Sequence, residues 1–345
     1  MTRIAMGFAG DMILSDRMQS FIEFLLCSPK YGTFTESSRT DPSNLSHDTW
    51  RRELIKLNHP HLLLWEKVKP KHGYLIADDT IIDKPRGKKI QAVGFHHSGK
   101  HKRVVRGICL VSIIWTDGKR AFPIDFRVYQ KQNGISKNEH LRDMLRTAKE
   151  RGFLPEFMMF DSWYSSNETL GLLQKWKWNY MVGIKSNRVF NGYMAGFQRV
   201  SIPLSNFLLP KEGMVLSLRG IGRHHCFARF STTSGRRYWC TNHTPMSTMQ
   251  WKNLRRISFS IETMHRSLKQ YCLLERCQAR RTDIQTSYIA VSLCAFVKTE
   301  VQRHQKKITT EESHRRLYRR AIKLFRGGDK RANLFLSPNA FFSFQ

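Results

Sequence analysis

The 345-residue chain is 41% hydrophobic and carries 58 Lys and Arg against 27 Asp and Glu, a formal charge of +31. That length can bury one large core and a smaller satellite, and so basic a globular chain calls for a polyanionic partner, nucleic acid before any other. A membrane role is disfavoured: the longest apolar run, Tyr288–Val297, is too short to span a bilayer, no long basic amphipathic anchor is evident and no signal peptide opens the chain. Seven cysteines, an odd number without CxxC spacing, fit a reduced cytosolic protein better than a disulfide framework.

Taken in order, Leu14, Met18, Phe21, Ile22 and Leu25 predict an amphipathic helix that ends before Ser28-Pro29. After a polar stretch (Gly32–Asn44), Ser46 is a candidate N-cap for a helix His47–Leu57 with Trp50, Leu54 and Leu57 inward and Arg51, Arg52 and Lys56 outward. A helix-turn-helix DNA reader and an ordinary helical lead-in fit residues 1–70 equally well. Residues Asn58–His72 read as a linker to a core at 71–300.

Tyr74–Ile82 (YLIADDTII) is a buried strand interrupted by two acids, which need cations or exposure at a sheet end to be tolerated. Pairing with Lys84 or Arg86 is the structural explanation. A basic loop, Lys84–Arg106, precedes strands Val104–Trp115 and Ala121–Tyr129, joined by a turn at Asp117-Gly118. His96, His97 and His101 lack acidic or thiol partners at metal-binding spacing, so a phosphate-facing loop is the better reading. Lys137–Arg151 is a polar-faced helix. The apolar run Phe153–Phe160 ends in Asp161, as when a parallel strand delivers a carboxylate to its carboxyl-terminal edge, although Asp161 could equally be an N-cap. A helix from Ser165 or Ser166 to Lys175 and a strand Tyr180–Ile184 follow. Residues 187–250 are β-rich, with Met214–Leu218, Cys226–Thr232 and Arg237–Cys240 as strands. Cys226, Cys240 and His243 there have no zinc-site spacing.

In Trp251–Arg281, Ile257, Ile261, Met264, Leu268, Tyr271 and Cys272 recur at helical spacing for burial, while Glu262, His265, Arg266 and Lys269 share the opposite face. A solvated face with a Glu262–Arg266 pair accounts for the charges; so does a carboxylate site ringed by bases. A further helix passes through Tyr288, Val291, Leu293 and Phe296. The basic segment 301–345 contains a helix bearing Arg315, Arg316, Arg319, Arg320, Lys323 and Arg326, suited to nucleic acid, and a tail, Ala332–Gln345, without an assignment.

IETMHRSLKQ, with LERCQARR downstream, resembles the glutamate helix of DDE transposases of bacterial insertion sequences in the insertion-sequence-four superfamily, whose signature is Y-x2-R-x3-E-x6-K. Glu262 and Lys269 match its last two letters; Arg255 and Ser258 stand where Tyr and Arg are expected. Asp-Asp-Thr resembles that family's first catalytic block, which assigns Asp79, with Asp78 the lesser alternative. Phe-Asp-Ser-Trp-Tyr followed by Val-Gly-Ile-Lys-Ser-Asn resembles its second, which assigns Asp161. The resemblance implies a ribonuclease H-like α/β fold with a mixed sheet, a β-rich insertion and an N-terminal helical domain. Asp79, Asp161 and Glu262 would be the catalytic carboxylates and the ligands of Mg2+ or Mn2+, in all two ions about 3.5–4 Å apart. It further implies cut-and-paste cleavage and transfer of double-stranded DNA at terminal inverted repeats, with self-association in the complex. Lys185, Arg255, Phe259, His265, Arg266 and Lys269 would meet DNA beside the site, and Arg51 and Arg52 would meet the element ends. A nuclease on the same fold and an inactive DNA-binding remnant are the competing readings.

Overall fold

The computed structural model describes residues 15–326 apart from 29, 42, 58, 59, 61–63, 65–71, 100, 194–198, 233 and 234. The tail 332–345 and most of the segment read as a linker lie outside the described residues. Among the described residues, no helix is long and apolar enough to cross a membrane, and no disulfide joins any of the seven cysteines, six of which are buried.

By compactness the chain forms two units. One gathers the residues up to 69, then 81–108, then 266 onward; the other holds 70–80 and 109–265. In the first unit, helices α1 (Asp16–Cys27), α2 (Phe34–Thr40) and α3 (His47–Ile55) begin at Ser15, Thr33 and Ser46, whose hydroxyls accept backbone N–H groups three residues on. The polar stretch 32–44 thus contains a helix. The second strand of the protein, β2 (Gly94–Ser98), pairs antiparallel with the start of β3 (Arg103–Thr116) inside the segment read as a basic loop.

The late helix α8 (Thr282–Lys306) is buried on every side from Ser287 to Phe296, which makes it the spine of this unit. Phe21 packs on Trp50 at 5.6 Å and on Tyr288 at 6.0 Å between ring centroids. The Tyr288 hydroxyl donates to the carbonyls of Gly32 and Leu273, both at 3.1 Å. Lys84, considered from sequence as a partner for the β1 acids, is buried here and donates instead to the carbonyls of Glu275 (2.8 Å) and Cys277 (2.5 Å). Helix α9 (Thr310–Arg326) closes the described chain. Three of its arginines are drawn to its own acids: Arg315 to Glu311, and Arg316 and Arg319 to Glu312.

The second unit is built on a mixed sheet, ordered β3-β1-β5-β6-β11-β10-β9-β7-β8, with β4 paired onto β3. The strands are β1 (Tyr74–Asp83), β4 (Ala121–Tyr129), β5 (Phe157–Phe160), β6 (Tyr180–Ile184), β7 (Val189–Tyr193), β8 (Arg199–Pro203), β9 (Met214–Leu218), β10 (Gly222–Ser231) and β11 (Gly235–Thr241). The pairs β1–β5 and β5–β6 are parallel, and the insertion, entered through β7 and left through β11, is antiparallel. Its first hairpin, β7–β8, is an element that the sequence reading lacked. Helix α4 (Lys137–Glu150) packs on β4 and leads into β5, and α5 (Asn167–Lys175) connects β5 to β6.

The run from Trp251 forms two helices, not one: α6 (Thr248–Ser258) and α7 (Ser260–Tyr271). The break falls at Phe259, where the Ser258 and Ser260 hydroxyls donate back to the carbonyls of Arg255 (2.8 Å) and Ile257 (2.7 Å). Such back-bonding competes with the helical ladder and bends it. The expected apolar stripe therefore passes across a helix boundary.

Candidate active site

In β1, Ala77 pairs with Phe160 of β5, so β1 reaches Asp78 at the level where β5 ends and releases Asp161. Successive strand residues point to opposite faces, which separates Asp78 from Asp79. Asp79 accepts the Lys137 ammonium on one carboxylate oxygen at 2.7 Å and the Tyr164 hydroxyl on the other at 2.7 Å, and the Cys109 thiol lies 3.6 Å away. Asp78 lies in the field of three other carboxylates. Burial, and then the charges of Asp79, Asp161 and Glu262, hold its carboxyl well above the usual range. Asp161 is raised too, by burial first and by Asp79, against the backbone N–H of Trp163 that binds its carboxylate at 2.9 Å. It opens a turn and is not a helix cap; α5 is capped by Ser166. Four carboxylates from β1, the end of β5 and the start of α7 thus belong to one electrostatic cluster within the second unit.

Raised carboxyls bear on stability. The folded chain then binds protons more tightly than the unfolded one, so stability falls as pH rises from the ordinary carboxylate range through the raised value, and stays lower above it. Asp78→Asn removes that loss without changing shape. By calorimetry in chelator at neutral pH, the variant should melt a few degrees above the wild type, with the gap closing in acid. Coincident melting curves would mean that the repulsion is already relieved.

The bases on α7 divide differently from expectation. His265 was read as facing phosphate, yet it is buried and its Nε2 is 2.8 Å from the Ser112 hydroxyl of β3. It lies four residues from Ile261, on the apolar stripe itself. Glu262 and Arg266 are exposed. Lys269 donates to the Ile81 carbonyl at 2.5 Å and lies 3.6 Å from Glu275. Arg255 places its guanidinium 4.5 Å from the Trp239 ring centre and 5.3 Å from that of Trp251. Burial and the neighbouring Arg229 and Arg237 push its pKa down. Phe259 is 49% exposed. In the other unit, Arg51 and Arg52 are exposed on α3 and both turn back to Asp48, Arg51 through its carboxylate and Arg52 through its backbone carbonyl.

Beside Asp161 lies a cavity of about 470 Å3 lined by Asn138, Trp163, Lys185, Arg188 and Arg219 among others. Trp163 is 57% exposed, with the Lys185 ammonium 5.5 Å from its ring centre. Lys185 was singled out from sequence; Lys137, Trp163, Arg188 and Arg219 were not. The one signal for Lys137 is a cation in the first turn of a helix, where the macrodipole disfavours it.

Residues 34–197 match the family described as DDE superfamily endonuclease. The matched stretch carries both β1 acids and Asp161 and ends before Glu262. The solved piggyBac transposase, in a synaptic complex with hairpin DNA, superposes with a TM-score of 0.55 at 12% identity, covering 94% of this chain and 73% of that one. The fold is ribonuclease H-like. No curated protein matches the chain.

An all-oxygen set of mutually repelling carboxylates suits a hard divalent cation such as Mg2+ or Mn2+. Among the described residues no three His, Cys, Asp or Glu side chains form a ready-made cage, and Asp79 has both oxygens engaged by Lys137 and Tyr164.

Proposed function

We propose that this chain is a DDE transposase of the insertion-sequence type, which cuts DNA at the ends of an element and joins the freed ends to a target by phosphoryl transfer. The observation that carries the reading is that Asp78 lies in the electrostatic field of Asp79, Asp161 and Glu262, near a cavity lined with Lys185, Arg188 and Arg219. The family match over 34–197 and the shared fold with a transposase support it.

Asp79, Asp161 and Glu262 are the residues assigned to hold divalent cations, with Asp78 adjoining them. Bound there, such ions supply Lewis-acid stabilisation of the attacking and leaving oxygens of an in-line displacement at phosphorus. The chain's own residues do the rest. Lys185, Arg188 and Arg219 neutralise the phosphates of the strand, and Trp163 offers an exposed ring against which a base or sugar can rest. Arg255, backed by the Trp239 and Trp251 rings and beside Arg229 and Arg237, meets a phosphate farther along, with Phe259 and Arg266 exposed for contact. Lys269 is assigned to DNA as well, on giving up the Ile81 carbonyl. His265 holds α7 to β3 through Ser112. Arg51 and Arg52 contact the terminal repeats, and self-association pairs two ends.

The full-length protein should nick supercoiled DNA carrying its element's ends in Mg2+ or Mn2+ and not in chelator. Joining of those ends to a second plasmid marks a transposase; cutting without joining marks a nuclease on this fold. DNA binding with no cutting in either metal would leave the remnant reading standing and remove this one.

A further inference from the structure

Building on the reading of the carboxylates as a cation site, we propose that Lys137 is a placeholder for that cation: its ammonium neutralises Asp79 until a divalent ion takes the carboxylate and the strand's phosphate takes the lysine. The ammonium lies 2.7 Å from the Asp79 carboxylate, and the two side chains are only 18% and 19% exposed. Its own helix gives no reason for a cation there. Lys137 is the first residue of α4, at the positive end of the macrodipole. The acid of that turn, Glu139, reaches back to the Ser136 N–H at 2.7 Å in a capping box. What stabilises the ammonium is therefore Asp79. A lone carboxylate at that depth is costly, and a charge partner on the spot offsets the cost while no metal is present.

The surroundings also provide a place for the lysine to go. Its Nζ lies 5.7 Å from the Tyr129 ring centre and 5.9 Å from that of Trp163, so an ammonium that releases Asp79 stays over aromatic faces. Trp163 lines the basic cavity together with Asn138, the next residue of α4. A phosphodiester in that cavity is a second acceptor within the reach of a four-carbon stem. Tyr164 keeps its hydrogen bond to the other Asp79 oxygen, so the carboxylate remains oriented while its partner is exchanged. Two binding events that draw on the same lysine are coupled: the cation frees Lys137 for DNA, and DNA draws Lys137 from the cation's ligand.

Mn2+ binding to the full chain, followed by the electron paramagnetic resonance of the free ion, tests this without reference to catalysis. In the absence of DNA, Lys137→Met should bind Mn2+ about tenfold more tightly than the wild type. Mn2+ should strengthen the binding of a short labelled duplex, read by fluorescence anisotropy, more in the wild type than in Lys137→Met. Equal or weaker Mn2+ binding by the variant overturns the placeholder and leaves the cation site standing; no binding by either protein overturns both. Should the methionine variant fail to fold, Lys137→Arg decides. It keeps the charge and so should bind Mn2+ no more tightly than the wild type, and tighter binding overturns the proposal.

Discussion

Alanine at Asp161 or at Glu262 should lower strand cleavage by roughly 10³-fold or more, because groups that act as one unit lose nearly everything when one is removed. Folding and DNA affinity should persist. The two carboxylates sit in a cluster that repels itself, so their loss removes a cost, and the phosphate contacts come from other residues. The β1 acids separate the possibilities further. Asp79→Ala and Asp78→Ala, assayed side by side for nicking of supercoiled DNA, should show the larger loss at Asp79, the residue assigned by the Asp-Asp-Thr block. Normal cleavage by Asp79→Ala with failure of Asp78→Ala would transfer the role to the acid whose field contains Asp161 and Glu262. Unfolding of every variant, seen by circular dichroism, would make the carboxylates structural.

Gly183→Ala should also lower cleavage strongly, without touching an ionisable group. A β-carbon at Gly183 of β6 would lie 2.8 Å from the Ser162 nitrogen and 3.4 Å from the Asp161 Cα, both backbone atoms that cannot swing aside. Either β6 or the Asp161 turn must shift, at a stability cost of about 1–3 kcal/mol. A displacement near 1 Å at a reacting group costs about 10²-fold in rate. The expected result is a protein that is folded at 25 °C by circular dichroism, binds DNA normally and cleaves about 10²-fold more slowly. Wild-type cleavage by Gly183→Ala would mean that the Asp161 turn tolerates movement and that its placement is not critical.

The two aspartate blocks were legible because each ends or interrupts an apolar run, and a buried strand tolerates an acid only where something compensates it. Phe157–Phe160 delivering Asp161 shows how much one such run can tell. His265 was misread because periodicity orders residues around a helix and does not say how far the buried arc extends. The Ser112 hydroxyl that receives it lies 153 residues away on β3. The break at Phe259 turns on the hydroxyls of Ser258 and Ser260, each of which can cap or back-bond with the same sequence around it. Lys137 left no signal beyond its unfavourable place in a helix's first turn, for the same reason as Ser112: its partner, Asp79, is 58 residues away, and only the folded unit brings them together. The strands of the insertion were read in part, with β7–β8 missed because VFNGY and RVSIP are short and alternate weakly.

The ring cluster of Phe21, Trp50 and Tyr288 has a bearing on how the protein is made. Phe21 and Trp50 are synthesised well over two hundred residues before Tyr288, the ring that completes the cluster. At about 5–20 residues per second, the apolar faces of α1 and α3 wait on the order of tens of seconds for α8. During that interval they are exposed surface of the kind that holdase chaperones bind, and a chain interrupted anywhere before α8 never covers them. Folding of this unit is therefore withheld until α8 has been made.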